Sequence, residues 1–510
     1  MIIERSSAWK EGFIERLENR ENWDNWTLYK MSYDVVKTNL ITDFTGLQSP
    51  KYLPNLTPLP HQLEVAEMVI ERMNGKAILA DEVGLGKTIE AGLIMKEYLV
   101  RGLVKKALIL APASLINQWV EELNHKFYIP AIAYRKNYGL DHYNVVVMSM
   151  DMAKRSPHKE HIYEQDYDLI IVDEAHKLKN HKTKNYEFVQ ELKKKFCLLL
   201  TATPIQNNLF ELFHLISLLK PGHLGDYETF QAAFSASKHN WENDEFLKEL
   251  VNQVMVRNRR QDTGIEWTSR RVQTIPIQFT QQEKEVYDMI LELKNISPEF
   301  SSPFTMITLQ KEMCSSKEAT YLTLNEMRQK CTDPKGVRYI EEIIQKLIAL
   351  EINAKAEKAY EIITEANDKV ILFTEYRASQ AYLQWYLHSK GITSVIFNGK
   401  FKASKRDWMK QLFKDHAQVL IATESGGEGI NLQFCHHVIN YDLPWNPMKL
   451  EQRIGRVHRL GQEHDVHIYN LAIEQTIEED ILELLHVKID VFEKAVGELD
   501  SILSTYKQSI

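Results

Sequence analysis

Certain short stretches carry residues whose types and spacing suit phosphate chemistry. In KAILADEVGLGKTIEAGLIMKEY, an apolar run leads through a glycine-containing turn into Gly86-Lys87-Thr88 and then a helix whose Ala91, Ile94, Met95 and Tyr98 share a face. Gly84 and Gly86 let backbone N–H groups approach an anion with no Cβ in the way, and the helix N-terminus adds the positive end of its dipole. Lys87 is then placed to neutralise terminal phosphate oxygens, and the Thr88 hydroxyl to ligate Mg2+. Asp81 stands where the usual loop pattern has glycine, so the strict motif fails; Asp81, Glu82, Val83 and Leu85 are loop candidates by position.

In LIIVDEAHKLKN, Asp173 and Glu174 end a buried-type strand, where an open α/β sheet presents its ligands. Asp173 can hold Mg2+ directly or through water, while Glu174 orients and deprotonates a water for in-line displacement. Acids at strand ends are often only solvated caps; the phosphate loop upstream is what favours chemistry here. In LEQRIGRVHRLGQ, Arg453, Arg456 and Arg459 recur at a spacing that can place them on one helix face. Like charges so spaced repel and call for an anion, and a γ-phosphate held by the other half of the chain is the candidate partner. The competing reading is a surface helix paired with nearby carboxylates.

The elements that must position these residues follow from short β-branched and leucine-rich runs with helical patterns between them, the mark of parallel sheets covered by helices. In the first half they are KAILA (76–80), ALILA (107–111), NVVVMS (144–149), LIIVD (169–173) and CLLLTA (197–202). In the second they are KVILFTE (369–375), TSVIFN (393–398), QVLIATE (418–424), HVINYD (437–442) and VHIYNLAI (466–473). Two α/β lobes are implied. Residues from about 205 to 365 lack this rhythm and read as helical insertions, and the tail after Gln475 continues as helix with Ile477, Ile481, Leu484 and Leu485 on one stripe.

At 510 residues the chain exceeds a single core, and 44% hydrophobic with 26% charged residues is an ordinary globular composition. MIIERSSAWKEG lacks a signal pattern and no apolar run is long enough to span a bilayer, so a cytoplasmic protein without membrane contact is expected. Cys197, Cys314, Cys331 and Cys435 have no paired spacing, which argues against a zinc site or a disulfide framework. A net charge of −8 does not exclude nucleic acid, because a local basic groove suffices. Candidate clusters are Lys177, Lys179, Lys182 and Lys184; Arg257, Arg259 and Arg260; and Arg270 with Arg271, each of which can equally be solvated surface.

Further motifs stand in order along the chain: PHQ (60–62), DEVGLGKT (81–88), APASLINQW (111–119), DEAH (173–176), TATPIQNNLFEL (201–212), TESGGEGINLQ (423–433) and QRIGRVHRLGQ (452–462). Over most of residues 57–485 the sequence resembles the Swi/Snf family of superfamily-two, helicase-like ATPases. DEVGLGKTIEAG, VRNRRQDT (256–263) and DLPWNPMKLEQRIGR (442–456) are similar to bacterial members of the RapA/HepA kind. Most of the long flanking domains that the resemblance to RapA would lead one to expect are not seen in this sequence, so a contact with RNA polymerase is not carried over.

The resemblance implies an α/β fold of two RecA-like parallel-sheet lobes with helical insertions and a C-terminal helical brace. The expected parts are an N-terminal extension (1–56), lobe 1 (57–270) with a helical protrusion at about 205–260, a helical insertion or linker (271–365), lobe 2 (366–475) and a C-terminal helix (476–510). It implies ATP with Mg2+ held by Thr88 and Asp173, Gln62 at the adenine, and Arg456 and Arg459 as finger arginines. Thr201, Ala202 and Thr203 would couple hydrolysis to lobe movement, while Gly427, Gly429 and Gln452 belong to the interlobe seam with Arg453 beside them. Asp81 then fits, since the family commonly has an acid there. Glu428, where many eukaryotic members have an apolar residue, and a short second insertion argue against nucleosome engagement. Trp119 and Trp445 are read either as braces for motif loops or as core packing.

The expected activity is DNA-stimulated ATP hydrolysis by a monomeric, nucleoid-associated translocase that tracks on duplex DNA and remodels or displaces protein–DNA complexes. The rival readings are a strand-separating RNA or DNA helicase, and a nucleotide-gated scaffold on RNA polymerase or in a phage-defence complex. Lys87, Glu174, Arg456 and Arg459 speak against a scaffold, which has no need of a water-activating acid.

Overall fold

The computed structural model describes residues 46–134, 142–205, 209–234, 241–399, 401, 403–423, 431–496 and 500–504, together with 14, 15, 18 and the helix Trp26–Asn39. That helix belongs to a separate unit, Met1–Leu47, and exposes Trp26, Leu28, Tyr29 and Met31, with Trp26 and Tyr29 stacked at 5.3 Å. The described residues from Gln48 onward form the second unit, Gln48–Ile510.

The strands of that unit are β1 (Lys76–Leu79), β2 (Ala107–Ala111), β3 (Ile132–Ala133), β4 (Val145–Ser149), β5 (Tyr167–Asp173), β6 (Lys194–Leu200), β7 (Met255–Val256), β8 (Arg270–Ile277), β9 (Val370–Thr374), β10 (Ser394–Phe397), β11 (Val419–Thr423), β12 (His437–Asn440) and β13 (Val466–Ile473). They form two parallel sheets, ordered β3-β4-β2-β5-β6-β1-β7 and β10-β11-β9-β12-β13-β8. These are the two RecA-like lobes. Every apolar run named above falls on a strand. β2, β9 and β11 are buried along their whole length, because helices cover both faces of a parallel sheet and leave no face for polar residues.

The expectation that 205–365 is helical throughout needs correction. Helices do occupy Phe210–Leu219, Tyr227–Phe234 and Trp241–Asn252, then Gln281–Ile296, Pro303–Ser315, Lys317–Lys330 and Pro334–Ile348. Between them β7 and β8 run at the edges of the two sheets, and β8 extends the second sheet in register, Val466 against Arg270 through Ile473 against Ile277. An edge strand keeps much of its surface partly exposed, so β8 carries RRVQTIPI rather than an unbroken apolar run.

The last helix, Ile477–Val496, joins the two cores. Ile481 and Leu485 pack with the second sheet, whereas Phe492 packs among residues of the first, alongside Met448 from the helix Pro447–Ile454. No helix among the described residues is long and apolar enough to cross a membrane.

Candidate nucleotide site between the lobes

After β1 the chain turns through Gly84 (φ 97°) and Gly86 (φ 96°), left-handed conformations that side-chain-bearing residues disfavour, and enters the helix Lys87–Val100. A Cβ on Gly86 would also lie 2.5 Å from Gln62 Nε2. Gln62 supports this turn from behind: Nε2 donates to Leu85 O at 2.9 Å and Oε1 accepts from Leu59 N at 3.0 Å. The side chain assigned to adenine by the resemblance is therefore engaged with backbone and lies outside the cavity lining. Asp81 is fully buried, accepting from Asn258 N at 2.8 Å and Nδ2 at 3.0 Å, so it anchors the loop to the strand-end segment beyond β7. Lys87 Nζ donates to Asp81 O at 2.6 Å and Glu82 O at 3.2 Å. Burial pulls the ammonium's pKa down, opposed by Glu90, Asp81, Glu174 and Asp173.

β5 delivers the acidic pair to the same place. Asp173 Oδ2 accepts from Trp119 Nε1 at 2.9 Å and Oδ1 from Glu174 N at 2.8 Å. Burial, with Glu174 beside it, pushes the Asp173 carboxyl up to about 6 against the pull of those two donors. Glu174 sits in the left-handed region (φ 52°, ψ 47°). Burial alone would raise its pKa, but His176, with Nδ1 3.1 Å from Oε2, together with Arg456 and Lys87 holds the carboxyl near 2. Glu174 is thus ionised across the physiological range while its neighbour is not far from titrating.

The cavity that these groups face measures about 280 Å³ and is lined from the first lobe by Gly84, Gly86, Lys87, Thr88, Asp173 and Glu174, and from the second by Arg456 and Arg459. Arg459 is so close that its Cγ would lie 3.4 Å from a Cβ on Gly84. Burial, then Arg456 and Arg260, lower the Arg459 guanidinium to about 10, with Glu122 opposing. The cavity gathers two ammonium groups (Lys87 and Lys126), two guanidinium groups and three carboxylates (Glu122, Asp173 and Glu174) around the turn at Gly84 and Gly86, an arrangement suited to a polyphosphate. Its oxygen donors, Thr88 and Asp173, are of the hard type that Mg2+ takes.

The three arginines do not share one helix face. The helix ends at Ile454 with Gly455 as its C-cap, so Arg453 turns inward, where Nη1 donates to Asn440 Oδ1 at 3.1 Å and to Asp442 O at 2.9 Å, while Arg456 and Arg459 reach the cleft. Glu82, Val83, Leu85, half-buried Gln452 and Arg453 lie outside the cavity lining, and Gly427, Glu428 and Gly429 lie outside the described residues.

The SNF2-related domain family matches residues 61–336, and the helicase conserved C-terminal domain matches residues 354–461. The chain belongs to the SNF2 family of helicase-like ATPases. A curated relative, the uncharacterized ATP-dependent helicase YqhH of Bacillus subtilis (strain 168), is 59% identical over 501 residues, covering 98% of this chain and 90% of its own length. The helicase domain of Pyrococcus furiosus Hef superposes with a TM-score of 0.54 at 18% identity, over 84% of this chain and 98% of that one. The SWI2/SNF2 ATPase core of Sulfolobus solfataricus in complex with dsDNA gives a TM-score of 0.42 at 23% identity, over 87% of this chain and 93% of that one.

In this SNF2-family chain the arginines read as a basic groove are engaged in ion pairs, with the Arg257, Arg260 and Arg270 side chains buried and Arg259 and Arg271 open to solvent. Arg260 and Arg270 are 1% and 4% exposed at their side chains, and face Glu82, Glu451 and Asp500; Arg257 lies 3.7 Å from Glu82. Arg259 pairs with Asp262 and Arg271 with Asp465. Of the lysine cluster, Lys179 pairs with Glu211 while Lys177, Lys182 and Lys184 are exposed. Sequence reading missed Glu451 and Asp500 as partners, because each is remote in the chain from the arginines it neutralises. Trp119 proves to be a brace: its buried indole holds Asp173. Trp445 O accepts from Lys488 Nζ of the last helix at 2.7 Å.

Proposed function

We propose that this SNF2-family ATPase is a translocase that hydrolyses ATP to ADP and phosphate to move along double-stranded DNA, and that it remodels or displaces protein–DNA complexes. The observation that carries the reading is the shared cavity, with Lys87, Asp173 and Glu174 on one lobe and Arg456 and Arg459 on the other. ATP bound there has contacts on both lobes, so it favours the closed arrangement, and hydrolysis removes those contacts. Lys87 and the loop amides hold the β- and γ-phosphates, Glu174 orients the attacking water, and Arg456 with Arg459 balances charge on the transferred group. Mg2+ held by Thr88 and Asp173 would supply Lewis-acid neutralisation of the phosphate oxygens.

A second cavity of about 260 Å³ shares Pro112, Ser114, Asp173 and Glu174 with the first and is lined by Lys177 and Asn185 of lobe 1 and Arg406 of lobe 2. A backbone phosphate there touches both lobes beside the water-orienting acid, which gives DNA a way to influence hydrolysis. Such contacts carry little sequence information.

The test is ATP hydrolysis by the purified chain with duplex DNA, single strands and RNA side by side, with Lys87→Ala as control. Stimulation by duplex DNA that weakens as salt rises is expected, because phosphate contacts release counterions. Equal rates in every sample, or full activity of Lys87→Ala, overturns the proposal. A labelled-strand displacement assay addresses the helicase activity in the relative's name: released strands would replace translocation without unwinding by true unwinding.

A further inference from the structure

We propose that Arg260 is a positioning residue for hydrolysis, whose guanidinium fastens the phosphate loop of lobe 1 to the arginine-bearing segment of lobe 2 and so holds the lobes closed around the nucleotide. The inference rests on the reading that Arg456 and Arg459 act on a nucleotide held by Lys87.

Arg260 opens the short turn Arg260–Thr263 that follows β7, and its side chain is 1% exposed. On the lobe 1 side its backbone N and Nη1 donate to Glu82 Oε2 at 3.1 and 3.4 Å, and Nη2 donates to Val83 O. Both acceptors belong to the phosphate loop itself. On the lobe 2 side Nη1 and Nη2 each donate to Glu451 Oε1 at 3.4 Å. Glu451 stands one helical turn before Gly455, at the base of the segment that carries Arg456 and Arg459. Its carboxylate is fixed from the far side by a bidentate pair with Arg270, at 2.6 and 2.8 Å. Asp500 closes the arrangement, accepting from Arg260 Nη1 at 2.9 Å, and the guanidinium carbon lies 5.3 Å from the Trp267 ring.

The charges explain why this is a latch and not only filler. Glu82, Glu451 and Asp500 face Arg257, Arg260 and Arg270, so the set balances only when the two lobes are together. Separating the lobes divides the set, leaving Glu82 with Arg257 on one side and Glu451 with Arg270 on the other, and water must then solvate what the partner lobe had neutralised. The same closure brings Val83 against Gly455 and Gly84 against Arg459. Arg260 binds the backbone of that very loop, so the register of Lys87 with the finger arginines passes through it. Lysine could keep the charge but not the fork that reaches Val83, Glu82 and Glu451 at once.

The experiment uses the full chain as wild type, Arg260→Lys and Glu451→Gln, with dyes on cysteines placed at exposed Lys193 and His388 in a Cys331→Ser background. Energy transfer between the lobes is read with and without a non-hydrolysable ATP analogue, beside kcat, KM and the thermal midpoint. The expected result for Arg260→Lys is a KM within about twofold of wild type, a kcat lower by about tenfold or more, and little rise in transfer on adding the analogue. Wild-type transfer together with wild-type kcat overturns the proposal. Should Arg260→Lys fail to fold, Glu451→Gln decides by the same split: low kcat with retained KM supports the latch, and an unchanged kcat overturns it. Arg456→Ala separates the underlying reading. If that variant hydrolyses ATP normally the account of the site fails, whereas its inactivity beside a fully active Arg260→Lys leaves the site standing and removes the latch.

Discussion

Gly455 faces Val83 with no room for a side chain: a Cβ built on it would lie 2.4 Å from Val83 Cγ1 and 2.8 Å from Val83 Cβ. The contact joins the segment that carries Arg456 and Arg459 to the loop that carries Lys87. Gly455 has φ −64° and ψ −1°, so alanine suits its backbone and the obstacle is purely steric. Gly455→Ala should therefore cost about 1–3 kcal/mol of overpacking, relieved only by displacing the loop or parting the lobes. Either response lowers kcat, by roughly tenfold for each 1.4 kcal/mol lost from transition-state contacts. Val83→Ala on that background should recover part of the rate, since Cγ1 is removed while Cβ remains. Steady-state kinetics at saturating ATP check both, and a wild-type kcat for Gly455→Ala would contradict the closed seam.

Glu174 combines a left-handed backbone with a carboxyl held near 2. A non-glycine residue there is strained by roughly 1–2 kcal/mol, which the surrounding fold must impose. Glu174→Gln keeps shape and polarity but removes the charge; on the proposed role of orienting the attacking water, nucleotide affinity should persist while kcat falls by about 10²–10⁴. Equilibrium binding of a fluorescent ATP analogue beside single-turnover hydrolysis separates the two quantities. Parallel loss of both would assign Glu174 to binding instead.

The Trp119 indole holds one oxygen of Asp173 and the Glu174 amide the other. Trp119→Phe removes the N–H and keeps an aromatic ring, leaving the carboxylate free to rotate away from its position at the end of β5. Loss of such a supporting donor should weaken Mg2+ affinity by about 10–100-fold. Nucleotide binding titrated with and without Mg2+ shows it directly: the Mg2+-dependent gain in affinity should shrink, while binding without Mg2+ stays as in wild type. An unchanged Mg2+ titration would limit Trp119 to packing.

What the sequence revealed and what it hid divide along physical lines. The apolar runs marked their strands because helices cover both faces of those strands, whereas β8 escaped notice because an edge strand can leave Arg271 and Gln273 to solvent. Lys87, Thr88, Asp173 and Glu174 were legible because their chemistry is local: glycines, a helix start and a strand end supply the geometry. Arg453 was not, since three-residue spacing cannot show that the helix stops at Ile454, although Gly455 is a signal for that stop. The arginines at 257, 260 and 270 appeared as a basic cluster because their partners are far away in the chain. Glu82, Glu451 and Asp500 meet Arg260 across 178, 191 and 240 residues, distances that only the folded chain closes.

His458 makes the seam sensitive to acid. Arg270 Nε donates to its Nδ1 at 3.0 Å, and Nε2, 2.9 Å from Thr268 O, must then carry the ring's proton. A second proton would oppose Arg270 across that bond. Burial, followed by Arg270 and Arg260, accordingly pushes the imidazole down to about 4 from its ordinary 6.5. Above 6.5 the ring is neutral in folded and unfolded chains alike and this stability is fully present. Below 6.5 the unfolded chain takes up a proton that the folded one refuses until about 4, so stability is lost as pH falls through that window. By pH 5 the loss attributable to His458 is about 2 kcal/mol. His437, also pushed down to about 4 by burial and by His436, adds to it, and Glu451, held near 2, extends the loss below 4.5. Urea unfolding at pH 7.5 and pH 5.0 checks the assignment: His458→Gln should be weaker at pH 7.5 yet lose about 2 kcal/mol less than wild type between the two. Equal losses in both proteins would place the acid sensitivity elsewhere.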